Sequence, residues 1–156
     1  MDVSLIFGII FTIILISVIL VFGGGVIADF FGMSGQAQVL KSIDNLGKKA
    51  DELYRLAGGS SEQFKLSFSK DYKLCFFNSS DPQKHLSAGW DPDGTVIYRI
   101  KQSGYNTWYY QGTNDAAGSG VKVSYLRTAT ADNFCVPGGS TVYLTNRGDY
   151  VSVEPD

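Results

Sequence analysis

"VSLIFGIIFTIILISVILVFGGG", residues 3–25, carries no charge, and its only polar side chains are Ser4, Thr12 and Ser17. A helix that crosses ~30 Å of hydrocarbon needs ~20 mostly apolar residues at ~1.5 Å of rise each. Residues 3–22 meet that requirement. A cleaved secretory signal has a basic start, an apolar core of ~7–15 residues and a small-residue cleavage site. Here no Lys or Arg precedes the run, and the nearest small-residue candidate, "GGGVIAD" at 23–29, lies beyond a membrane's width. The pattern predicts a retained transmembrane helix over 1–25. Gly23, Gly24 and Gly25 together cost roughly 3 kcal/mol of helix propensity relative to alanine. They predict a hinge, a locally melted stretch or a close approach of another backbone.

The chain then changes character. Asp2 and Asp29 are the only charges in the first 33 residues, whereas the sequence from Gln36 onward has ordinary soluble composition. Residues 26–57 read as an amphipathic helical stalk. Leu40, Ile43, Leu46, Ala50, Leu53 and Leu56 recur at three- and four-residue steps, with Lys41, Asp44, Lys48, Lys49, Asp51, Glu52 and Arg55 between them. This stripe has two readings: packing against the chain's own β-domain, or a seam for a neighbouring subunit. "AGGSS" at 57–61 stops the helix, and Gly58 or Gly59 suits a left-handed cap residue.

After residue 60 the apolar period switches to two. "FKLSFS", "YKLCFF", "TVIYRIK", "TWYYQ", "VKVSYLR", "STVYLTN" and "DYVSVEP" are short β-branched and aromatic runs separated by turn chemistry such as "DPDG" and "NRGD". They predict an antiparallel β-sandwich-like domain over 60–156. The fold class expected is therefore α+β: a long N-terminal hydrophobic and amphipathic helix, then a small antiparallel domain with one disulfide. The candidate disulfide joins Cys75 and Cys135, the only cysteines, each in an apolar context as in proteins of oxidising compartments. "NSS" at Asn78 matches an N-glycosylation acceptor. Lys41, Lys48 and Lys49 argue weakly the other way under the positive-inside rule. The expected localisation is membrane-anchored with the domain extracytoplasmic.

Net charge is −2 and the basic residues are scattered, which excludes a nucleic-acid footprint. No catalytic, cofactor or metal constellation is legible. His85, the only histidine, stands in the polar loop "DPQKHLSAG", and zinc-ligand spacing is absent. A calcium loop around Asp91, Asp93 and Gly94 would place Gly89 and Ile100 where carboxylates are required, so a hairpin turn fits better. The chain is read as no enzyme. Trp90, Tyr98, Tyr105, Trp108, Tyr109 and Tyr110 crowd into a short polar-flanked stretch. Of these, Trp90, Tyr105, Trp108, Tyr109 and Tyr110 are the candidate recognition surface, for a glycan or an envelope protein, unless alternate members line the sheet's core.

The layout resembles archaeal type IV pilin-like proteins: a hydrophobic helix, an amphipathic one, then a small disulfide-stapled β-domain. The likeness is carried by "IDNLGKKADELYRLAGGSSEQFKLSF" at 43–68, by "YKLCFF" with Cys75, and by "NFCVPGGSTVYLTNRGDYVSVE" with Cys135. Relatives of that kind carry a basic leader that a peptidase removes; only Met1 and Asp2 precede Val3 here, and Ile6 stands where an acidic residue is often found. The resemblance implies a structural subunit of a filament or envelope oligomer. Its assembly helix would use Gly8, Thr12, Ser17, Gly23, Gly24, Gly25, Leu40, Ile43, Leu46, Ala50 and Leu53. The partners expected are a membrane and further copies of the chain. The alternative is a monomeric membrane-tethered binding module that presents its aromatic surface.

Overall fold

The computed structural model describes residues 3–78, 81–82, 90–91, 94–129 and 132–156, and within the first helix the side chains of 8–17 and 35–54. Two compact units divide the chain, Met1–Ala37 and Gln38–Asp156. In order, the elements are α1 (Val3–Tyr54), β1 (Ser61–Lys65), β2 (Tyr72–Phe76), α2 (Thr95–Ser103), β3 (Thr107–Gln111), a 3₁₀ turn (Asp115–Ala117), β4 (Ser119–Val121), β5 (Leu126–Thr128), β6 (Phe134–Pro137), β7 (Thr141–Asn146) and β8 (Val151–Pro155).

In the second unit, Val39, Ile43, Leu46, Ala50 and Leu53 recur along one face of α1, and all are buried. They share one apolar core with Leu74 of β2, Tyr109 of β3, Val142 and Leu144 of β7, and Val151 and Val153 of β8. This decides between the two readings of the stripe. Ile43, Leu46, Ala50 and Leu53 are consumed by the chain's own β-domain and are not a free seam; of the predicted stripe, Leu40 and Leu56 stay exposed, at 43 % and 57 %. At the helix end, the Asn146 Nδ2 donates to the carbonyls of Leu53 (2.8 Å), Tyr54 (3.3 Å) and Leu56 (2.9 Å). These are groups a helix terminus leaves without intrahelical partners. Gly59 does adopt a left-handed φ of 91°, but a side chain ninety positions away does the capping. Lys49 reaches Glu62 of β1 (3.0 Å) and Glu52 (3.2 Å), and those hydrogen bonds, Glu62 first, raise its pKa above the usual lysine value.

The strands form two four-stranded sheets, ordered β1-β7-β8-β5 and β4-β3-β2-β6. The second is antiparallel throughout, whereas β5 runs parallel to β8 in the first. Three expectations need correction here. "TVIYRIK" forms α2, not a strand. Val96 and Ile100 fit both a period of two and the i, i+4 step of a helix. Tyr98 separates the two readings, and it is 66 % exposed while Val96 and Ile100 are buried. "VKVSYLR" is no continuous strand: it breaks into the end of β4 and the start of β5 around Tyr125, which has φ +62°. The fold class is corrected accordingly, to an α+β arrangement of helices with two small sheets, one of them holding a parallel pair.

The expected transmembrane helix is also corrected. Among the described residues no helix is long and apolar enough to cross a membrane. The expected membrane-anchored localisation therefore has no support among the described residues. Of the readings of Gly23, Gly24 and Gly25, the locally melted stretch is not found, since α1 is continuous through them.

The disulfide forms as expected. Cys75 of β2 and Cys135 of β6 are register partners on neighbouring strands, bonded across a sequence separation of 60. Such a bond belongs to an oxidising extracellular or periplasmic environment. On the chain-entropy account, closing a loop of this length contributes ~4 kcal/mol, a large part of the ~5–15 kcal/mol typical of a domain. Reduction is expected to lower the melting temperature of the folded unit by well over ~10 °C; calorimetry with and without reductant checks this.

Candidate functional site

The structure draws most of the predicted aromatic surface inward. Successive residues of β3 point to opposite faces, and both faces are covered. Tyr109 enters the core shared with α1, while Trp108 and Tyr110 join Cys75, Phe77, Val96 and Ile100 beneath α2. All three are buried. Trp90 is half-buried against Phe77, with ring centroids 5.4 Å apart. Tyr105 is half-buried over Gly120, where any side chain would collide with its ring.

The cover, α2, is fastened by a polar knot. The Asp91 carboxylate accepts from the backbone N–H groups of Val96 (2.8 Å) and Ile97 (2.7 Å), the first-turn donors that a helix leaves unpaired. The Asp91 N–H donates to Asp115 Oδ2 (2.5 Å), and Trp108 Nε1 donates to the Asp115 carbonyl (2.9 Å). Burial, aided by the Asp115 charge, raises the Tyr110 hydroxyl above its ordinary pKa. The Trp90 indole N–H, which lacks a partner of good geometry, works against that shift. Asp91 and Asp115 thus hold a helix in place. Among the described residues no group of His, Cys, Asp and Glu is arranged to bind a metal. His85, Pro92 and Asp93 lie outside the described residues. Asn78 is half-buried, and its backbone N–H donates to Asn133 Oδ1 (2.6 Å).

A different aromatic residue stands out. Tyr125 has φ +62°, a conformation that bulky residues avoid, yet its side chain is 45 % exposed. Asn106 imposes it. Its Nδ2 donates to the carbonyls of Val123 (2.7 Å) and Leu126 (2.8 Å), and its Oδ1 accepts from the Val123 N–H (2.8 Å). The Tyr125 carbonyl in turn accepts from the Val151 N–H (2.7 Å). The ring lies flat on Tyr54, with centroids 4.0 Å apart and planes 11° off parallel. A cavity opens on each side of residues 122–125. One, of about 320 Å³, is lined by Lys122, Tyr125, Arg127, Asp149 and Tyr150 among others. The other, of about 570 Å³, lies against Leu40, Asp44 and Lys48 of α1. Sequence reading missed this site because "VKVSYLR" has strand alternation and no glycine to mark a left-handed residue.

The first unit offers a second kind of surface. Ile9, Ile10, Phe11, Ile13, Ile14, Leu15 and Ile16 are all 45–59 % exposed, on every side of the helix. The hydroxyls of Thr12 and Ser17 donate to the carbonyls of Gly8 and Ile13, both at 2.8 Å. Their polarity is therefore spent within the helix. At Gly8 nothing stands within 4 Å of an added Cβ. The side chains around Gly23, Gly24 and Gly25 lie outside the description. No family model, curated protein or solved structure matches the chain.

Two outcomes test this geometry. Replacing Asn106 with alanine removes three hydrogen bonds to one loop; it is expected to cost about 2–3 kcal/mol in urea unfolding, with hydrogen-exchange protection lost at the Val123 amide. The neutral Tyr110 hydroxyl favours the folded state until the unfolded chain's tyrosine ionises, near pH 10.0. Its contribution is then lost as pH rises toward the higher folded value. Melting temperatures followed from about pH 8 to 11 should fall less steeply for Tyr110→Phe than for the parent.

Proposed function

We propose that the chain is a structural subunit that assembles with copies of itself, pilin-like in plan, through the apolar N-terminal part of α1. The observation that carries this reading is the all-round exposure of seven large apolar side chains between Ile9 and Ile16. A helix that is apolar on every side is a helix that is buried where it works. Each such side chain contributes roughly 1.5–3 kcal/mol when fully removed from water. A second copy of the same segment suits this surface, because it carries no charge to be left unpaired and its two hydroxyls are internally bonded.

Confinement of the contact to this segment follows from the fate of the stripe. Ile43, Leu46, Ala50 and Leu53 are occupied within each copy, so the β-rich unit folds without its neighbours and accompanies the helices into a filament or closed oligomer. The disulfide suits a subunit that works in an oxidising compartment. The layout around residues 43–68 and the two cysteines lends the pilin-like plan its resemblance.

Sedimentation velocity and negative-stain electron microscopy of the full chain test the assembly. The parent is expected to form large species, and the double variant Ile10→Glu with Ile14→Glu to run as a monomer with an unchanged near-ultraviolet circular dichroism spectrum. A parent chain that sediments as a monomer at every concentration overturns the reading.

A further inference from the structure

The Tyr125 site is a separate feature from the assembly segment, and its strain calls for a reason. A bulky residue at positive φ costs on the order of 1–3 kcal/mol and persists only where its surroundings impose it. Here Asn106 and Val151 hold the backbone on both sides, and the result is a tyrosine ring lifted into an exposed stack on Tyr54. Two cations stand beside it. Lys122 and Arg127 both line the 320 Å³ cavity, and among the described residues neither has a carboxylate partner; the Arg127 guanidinium lies 5.3 Å over the Tyr150 ring. In a chain of net charge −2, Lys122 and Arg127 outweigh Asp149, the carboxylate on the same wall, so the cavity is locally positive, with Tyr125 and Tyr150 beside the cations.

We propose that this cavity binds an acidic saccharide, a sugar ring bearing a carboxylate; the adjoining 570 Å³ cavity, lined by Asp44 and Asp51, does not extend the site for an acidic chain. The Tyr125 ring, one face of which is covered by Tyr54, keeps a second face for the C–H face of a sugar, and its hydroxyl is a polar handle. Arg127 offers a fork of donors that matches a carboxylate, and Lys122 a mobile point charge. Asp149, the one carboxylate on the wall of the smaller cavity, is an acceptor for a sugar hydroxyl. The volume is at the low end of the ~300–1,000 Å³ common for ligand pockets, fitting one ring at a time.

Two competing ligands fit less well. A peptide strand added at the edge strand β5 has little to pair with, since β5 is three residues long and its Leu126 carbonyl is taken by Asn106. A nucleotide would also stack and carry negative charge, but the disulfide suits an oxidising compartment outside the cell's nucleotide pool.

Titration of the full chain with oligogalacturonate, followed by calorimetry or by NMR shifts of the Tyr125 and Arg127 amides, tests the site. Tyr125→Gly is the most informative variant, because glycine accepts the left-handed backbone while removing the ring. It and Arg127→Gln are each expected to weaken binding about tenfold, without loss of the folded unit's circular dichroism. Neutral cello-oligosaccharide is expected to bind at least about tenfold more weakly than the uronate. The proposal is overturned if oligogalacturonate fails to bind at millimolar concentration, if Tyr125→Gly binds it as the parent does, or if polyglutamate of equal charge binds as tightly. The last result would mark an acidic-protein site instead. None of these outcomes depends on whether the chain assembles.

Discussion

Burial of the α1 stripe sets the terms for the rest of the second unit. Val39, Ile43, Leu46, Ala50 and Leu53 enter a core to which both sheets contribute, so neither sheet is completed without the helix. The helix end is then tied to β7 by Asn146, whose side-chain amide serves three carbonyls while its Oδ1 accepts from the Gly148 N–H (2.7 Å). Buried carbonyls left without donors cost on the order of 1–3 kcal/mol each. One asparagine therefore both stops the helix and fixes where β7 lies against it.

A second constraint follows from covering the β4-β3-β2-β6 sheet on both faces. With α1 on one side and α2 on the other, residues of both faces of β2 and β3 are buried, Lys73 and Gln111 excepted. Leu74 and Phe76 share the α1 core, and Cys75 and Phe77 the α2 cluster. The aromatic richness of "TWYYQ" is thereby packing material. It is α2, fastened by Asp91 and Asp115, that turns a surface which would recognise a partner into an interior.

Two features stand apart from what the core uses. The exposed apolar turns at 9–16 and the strained Tyr125 loop both depart from the general rule that a chain buries its large apolar groups and relaxes its backbone. They are chemically different, one being uniformly apolar and the other aromatic and cationic. A division of labour between association and ligand binding is consistent with that difference.

Much of this was written in local pattern. The helical stripe at 40–53, the glycine-rich stop after it, the switch to alternation beyond residue 60 and the pairing of Cys75 with Cys135 follow from periodicity, turn chemistry and the presence of only two cysteines. Tertiary structure decided what the stripe faced, because an apolar helix face is equally suited to its own domain and to a neighbour's. It also decided that residues 95–101 are helical. Val96 and Ile100 satisfy both periods, and only the Asp91 carboxylate at the helix start and an apolar site beneath select one. Tyr125 was least legible of all. Its backbone is set by Asn106, 19 positions earlier, and no local propensity records a hydrogen bond made across that distance.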